Sequence, residues 1–355
     1  FPKVAYIYVL YLVWALIGSL LASTSLYLSI CEWIRQVLYF VSFLYIANNV
    51  VTKMQFRAIV AALFLGLTIA SGSVITFFDL SWGTETNAFA AFYNERSEVS
   101  TDQTLYGGYG DRSVKRSAGI FPHPSHAGYY MEYTMPMILI FLIVAGKLRD
   151  QLLFSLLFAF GWAGMYFTFA RSPVVGLLFG CIVVIGLAGW ADLISRRVFA
   201  RCILSFVVFV VLATPVAITY MNTRLETISR RQELIEMALD TIAKRPIMGS
   251  GLNNSTVVSP ARRVDRSTSG SRDLNVEVVH NHYLVSLVEV GIVGSLLLFG
   301  FAARVIATAF THVRRATDPK RKLVLIGILG TFSSIAVHNF GDPFGGHMVW
   351  SMLWL

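Results

Sequence analysis

The sequence predicts an all-α, polytopic transmembrane helical bundle, and three observations carry that prediction. Its 355 residues are 55% hydrophobic and only 14% charged, with a mean hydropathy of +0.63, too little polar surface for a water-soluble domain of this length. Apolar runs of span length recur from one end to the other. Much of the basic charge falls in the short links between alternate runs, as membrane orientation requires.

A span needs about 20 predominantly apolar residues. Such runs lie near 4–22, 32–51, 57–78, 128–146, 151–169, 172–190, 202–221, 283–306 and 323–340, with a tenth opening near 347. That makes about nine to ten spans in a single transmembrane domain over 1–355. The chain starts at Phe1 and stops at Leu355 inside an apolar run, which reads as a segment of a longer chain.

One set of short loops holds Lys53 and Arg57, Lys147 and Arg149, Arg196, Arg197 and Arg201, and Arg314, Arg315, Lys320, Arg321 and Lys322. Only Asp150, Asp192 and Asp318 oppose them, so these loops are expected on the cytoplasmic side. The opposite, outer face then receives a first loop over 79–127 and a large, partly helical loop over 222–282. Loops this long usually carry function.

The net charge of +9 follows this loop pattern, and nucleic acid is not an expected partner. Cys31, Cys181 and Cys202 lie in or beside apolar runs without metal-ligand spacing. No phosphate-binding Gly-x-x-x-x-Gly-Lys-Ser/Thr, no Gly-x-Gly-x-x-Gly after a strand and no Gly-x-Ser-x-Gly is present.

Candidate site residues cluster on the outer face. The large loop opens on a helical pattern over 227–243, where Ile228, Ile235, Ala238, Leu239 and Ile242 share one side at 100° per residue. Arg231 falls on that apolar side, with Arg230 at its edge. A cation so placed either snorkels to a headgroup or meets a buried anion. The helix ends at Lys244-Arg245-Pro246, and Gly249-Ser250-Gly251 reads as termination and a turn. Arg171 stands in Thr168-Phe169-Ala170-Arg171-Ser172-Pro173, in a tight outer turn where the charge rule disfavours arginine. It is either a functional cation or an interfacial anchor. Pro173 suits a first helical turn, with Ser172 as N-cap.

His280-Asn281-His282 closes the loop. Asn281 suits a helix N-cap, and a flanking histidine suits a general base. Two histidines two residues apart are poor joint metal ligands. In the first loop, Arg112, Lys115 and Arg116 form a basic cluster that could draw in an anion or stay a solvated loop.

Four segments, in order, resemble the O-antigen ligase and polymerase superfamily. They are the Gly-x-Phe-x-x-Pro-type stretch over 119–128, and Thr168-Phe169-Ala170-Arg171-Ser172, similar to the family's Thr-x-Ser-Arg. Then come Arg231, Ala238 and Pro246-Ile247-Met248-Gly249-Ser250-Gly251, similar to the family's Arg, later Ala, and Pro-x-x-Gly-x-Gly. Last is His280-Asn281, nine residues, and Gly291-x-x-Gly294-Ser295, close to the ligase pattern His-Asn-x9-Gly-x-x-Gly-Thr-Gly. Ser295 and Leu296 depart from that pattern's last two residues, as Ala170 and Ser172 do from the second segment's.

The resemblance implies an inverting, metal-independent C-type glycosyltransferase in the bacterial inner membrane, with its active site facing the periplasm. It implies an undecaprenyl-diphosphate-linked glycan as donor, and lipid A–core or a lipid-linked repeat unit as acceptor. No cofactor is implied, and the partners beyond the substrates are membrane lipids. Arg171, Arg231 and His280 take the family's functional positions. Arg230, Arg112, Arg116 and Asn281 are candidate substrate-binding residues. A lipid-linked glycan transporter is the different-class alternative, and it calls for ionisable residues buried in mid-span.

Overall fold

The computed structural model describes residues 4–50, 52–80, 117–121, 124–222, 226–255 and 279–341. The chain is a multi-pass, all-α membrane protein, with no strand among the described residues. Among the described residues ten helices follow in order: α1 (Ala5–Ala22), α2 (Leu26–Asn49), α3 (Lys53–Leu80), α4 (Pro124–Val144), α5 (Leu148–Thr168), α6 (Arg171–Trp190), α7 (Arg196–Asn222), α8 (Glu226–Lys244), α9 (His282–Arg315) and α10 (Pro319–His338).

Among the described residues, eight of these are long and apolar enough to cross a membrane: α1 to α6, α9 and α10. Helix α7 covers the expected run 202–221. The run near 347 lies outside the described residues. Helices α3, α7 and α9 outlast their apolar runs at both ends, because hydropathy marks the lipid-facing stretch whereas the hydrogen-bonded ladder continues into the interface. Helix α9 shows this most. It continues past 306 to a polar last turn holding His312, Arg314 and Arg315, where cations also suit the carbonyl end of a helix.

The chain divides into two compact units. One contains α1, α2, α8 and α9 as far as Val305. The other contains α3 to α7, the end of α9 from Ile306, and α10.

Helix α4 is the hub of the second unit. It packs against α3, α5, α6 and α10, and most of its residues are buried. Its sequence reads apolar on every side, as a helix surrounded by other helices must. Met131, Met135 and Ile138 fill the space between its neighbours. Pro136 offers no N–H to the helix turn before it, and α10 supplies a hydrogen bond at this level: the Thr331 hydroxyl donates to the Tyr133 carbonyl at 2.8 Å.

The first unit is built on aromatic rings. Tyr8 packs between Tyr11, Phe40 and Phe301 with ring centroids 5.2 Å apart in each pair. Trp33 Nε1 donates to the Leu12 carbonyl at 2.8 Å and ties α2 to α1.

Candidate active site

Arg171 is the first residue of α6, and its side chain is exposed. Three residues make the turn that delivers it. Phe169 adopts the left-handed conformation (φ 48°, ψ 29°) at the end of α5, which costs a non-glycine residue about 1–2 kcal/mol. The buried Thr168 hydroxyl donates to the Met165 carbonyl at 2.7 Å and accepts the Ala170 amide at 3.1 Å. Ala170 is therefore the N-cap, and the expectation of Ser172 in that role is corrected. The left-handed residue turns the chain early enough that helical geometry begins at Arg171, and Ser172 already lies inside the first turn.

The second segment works through a broken helix. At Gly291 (φ 66°, ψ −173°) α9 leaves helical geometry, and the backbone groups released there are taken by the loop over 246–251. Ser250 donates from both its amide and its hydroxyl to the Val288 carbonyl at 2.8 Å. The Gly251 amide donates to Glu289 O at 2.9 Å, and the Ile292 amide donates to Pro246 O at 2.8 Å. Trp14 Nε1 donates to Val290 O at 3.1 Å. Non-helical backbone at membrane depth needs such partners.

Glycine is required where the two backbones meet. A methyl group at Gly291 would strike the Ile247 carbonyl, and one at Gly249 would stand 2.5 Å from the Glu289 carbonyl. Gly249 thus permits this docking, whereas a methyl group at Gly251 would strike Ser23 and Ser29 instead. Ser255 donates from its hydroxyl to Glu289 Oε1 at 2.7 Å. Ser286 and Ser295 share a hydroxyl hydrogen bond of 2.9 Å across the break, so the Ser295 departure keeps the hydroxyl that a threonine would bring.

This docking fixes α8 against the start of α9. Leu234 and Ala238 of α8 bury into one cluster with Val279, Val285 and Val288. The packed stripe runs through Leu234, Ala238 and Ile242, while Ile235 and Leu239 are exposed. The expected stripe is corrected by part of a turn, because the neighbouring surface rather than the apolar content of the helix selects the buried side. Arg231, exposed, continues the same stripe one turn before Leu234.

At the other end of that cluster His280 follows the buried Val279 and is half-buried. Asn281 caps α9 as expected: its Oδ1 accepts the Leu284 amide at 3.1 Å. The His282 amide donates to Asn339 O at 2.9 Å. His280-Asn281-x9-Gly291 therefore spans the first segment of α9, from its cap to its break.

Arg231 and His280 share one compact unit, and Arg171 belongs to the other. The Arg230 backbone is helical, whereas its side chain, Arg112 and Arg116 lie outside the described residues. Sequence reading missed one pair: His338 Nδ1 and Glu132 Oε2 stand 2.6 Å apart with both side chains fully buried. The available signal was a carboxylate inside the apolar run 128–146, a functional flag in its own right.

Residues 154–299 match a family model described as O-Antigen ligase, and Arg171, Arg231, His280 and Gly291 all fall inside the match. No curated protein sequence matches the chain. The fold is similar to that of a chain in a solved peptidoglycan synthase complex, described for the structural coordination of polymerization and crosslinking. The likeness covers 99% of this chain and 94% of that one, with a TM-score of 0.52 and 15% sequence identity, and it concerns the fold alone. The match over residues 154–299 supports a likeness to the O-antigen ligase and polymerase superfamily.

Proposed function

We propose that the protein is an O-antigen ligase of the bacterial inner membrane, transferring a glycan from undecaprenyl diphosphate to lipid A–core at the periplasmic face. The observation that carries this reading is the family match over 154–299, which contains both arginines, the histidine and the glycine at the break in α9.

The chemistry follows from charge. An acceptor hydroxyl attacks the anomeric carbon from the side opposite the diphosphate, which inverts the configuration. The anomeric C–O bond to the lipid diphosphate breaks, and negative charge grows on the departing oxygen. Arg171 and Arg231 stabilise that charge without a metal ion. A guanidinium stays protonated and presents a fork of donors that fits phosphate oxygens. The Arg171 side chain also stands at the N-terminal end of α6, where the helix dipole favours an anion. His280 orients the acceptor hydroxyl and accepts its proton.

A polymerase that extends the lipid-linked glycan is the second reading. Leu296, exposed where the ligase pattern ends in glycine, favours it. Both readings share the donor site.

Alanine at Arg171 or Arg231 tests that site. Each is expected to lower transfer about 10²-fold, the order seen when one stabilising donor is removed. Lysine at either position recovers part of the rate, because it restores charge without the fork. The measurement is initial transfer rate in proteoliposomes at matched protein content. Full activity in both alanine variants would contradict the donor-site assignment.

A further inference from the structure

The second unit buries a hydrogen-bonded carboxyl–imidazole pair that the reaction above does not use. Glu132 of α4 and His338 of α10 meet at 2.6 Å with no exposed side-chain surface. Tyr129 closes over the imidazole edge-to-face, with ring centroids 4.4 Å apart. A third helix seats on this pair. Gly176 of α6 opposes the Glu132 carboxylate so closely that a methyl group there would run into Oε1. One turn on, a methyl group at Gly180 would run into the Ser334 hydroxyl of α10. At the outer end of the same contact, a methyl group at Gly128 of α4 would meet Pro173 at 2.9 Å and Ala170 at 3.3 Å. Ala170 and Pro173 flank Arg171 closely, and Gly176 follows it by about 7.5 Å along the helix axis.

A buried carboxyl–imidazole pair, like a buried ion pair, is weak evidence of stability. Removing both charges in favour of apolar side chains is often neutral, while removing one is costly. What a hydrogen bond adds is direction. Helices that meet through glycine, serine and methionine in a bilayer gain little from the hydrophobic effect and can slide along one another. A single hydrogen-bonded pair fixes the axial register of α4 against α10, and α6 takes its register from both.

We propose that Glu132 and His338 are positioning residues that set the axial placement of the α6 N-terminal turn, and through it the Arg171 guanidinium that receives the lipid diphosphate. This deepens the donor-site reading and rests on it.

The test measures dissociation of undecaprenyl diphosphate from the full-length protein in nanodiscs, together with KM for the glycan donor and kcat. Glu132→Gln keeps the volume and the acceptor for His338 and is expected to bind within about two-fold of the unsubstituted protein. Glu132→Leu with His338→Phe removes the pair while preserving packing. It is expected to fold, to weaken undecaprenyl diphosphate and raise donor KM about ten-fold, and to leave kcat within about three-fold, since misplacement of this kind acts through geometry. Wild-type binding by the folded double variant would overturn the proposal. So would loss of folding in both the Gln and the double variant, which assigns the pair to folding. Arg171→Ala separates the two levels. If it weakens binding and the double variant does not, only the positioning role falls. If Arg171→Ala binds like the unsubstituted protein, the donor-site reading itself falls.

Discussion

Replacing His280 with alanine is expected to lower glycan transfer about 10²- to 10⁴-fold, the range set by loss of a positioned general base, while undecaprenyl diphosphate still binds. The expectation comes from how little freedom the backbone around His280 has. Val279 is buried with Leu234, Ala238, Val285 and Val288. The Asn281 amide returns to the Val279 carbonyl at 2.8 Å, and the Asn281 side chain caps α9. The imidazole thus projects from a fixed turn at the head of α9. Glutamine at 280 can hydrogen-bond a hydroxyl but cannot take its proton at neutral pH. His280→Gln should therefore resemble alanine in single-turnover rate and resemble histidine in acceptor KM. A glutamine variant that turns over at the full rate would remove proton transfer from the role of His280.

The second large effect is on the fold. Gly291→Ala places a side chain at φ 66°, ψ −173° and drives it into the Ile247 carbonyl. The obstacle is backbone, held in place by the hydrogen bonds from Ser250, Gly251 and Ile292, so it cannot swing aside as a side chain could. Strain and overpacking together are expected to cost about 3 kcal/mol or more. The substitution should release the loop over 246–251 from α9 and loosen α8, which bears Arg231. Thermal unfolding in detergent checks this, with Gly300→Ala as control. Nothing stands within 4 Å of a methyl group at Gly300, so that change should be neutral or slightly stabilising. Equal unfolding midpoints for the two variants would contradict the role given to the break.

Much of this fold was legible in the sequence because lipid imposes a strong rule. Every backbone group must be paired within the bilayer, so a long apolar run is read as a helix with few competitors. Helix ends were less legible. Their signals are single hydrogen bonds, such as the Thr168 hydroxyl that moves the start of α6 to Arg171. Asn281 was readable as a cap because an N-cap acts on residues immediately after it. Gly249 and Gly251 were only half readable. A turn is local, but Gly249 docks against Gly291, some forty residues away, Gly251 sits against Ser23 and Ser29, and hydropathy sees α9 as one uninterrupted run. The Glu132–His338 pair was least accessible, since its two members lie 206 residues apart and each alone reads as an isolated polar residue. The positions of Arg171, Arg231 and His280 were visible for a different reason. Arg171 and Arg231 are cations where membrane topology or an apolar stripe disfavours one, so the cost of placing them there marks them, whereas His280 stood out as a general-base residue type beside a helix cap.

The central claim is ligation, and a reconstituted transfer assay tests it most directly. Purified protein in proteoliposomes is given undecaprenyl-diphosphate-linked repeat units, with and without lipid A–core, and the products are resolved by gel and mass spectrometry. Glycan joined to lipid A–core, and no lengthening of the lipid-linked glycan when that acceptor is left out, is the expected result. Ladders of longer lipid-linked glycan in the absence of lipid A–core would contradict it and establish the polymerase, and glycan moved across the bilayer without any new glycosidic bond would contradict both in favour of transport.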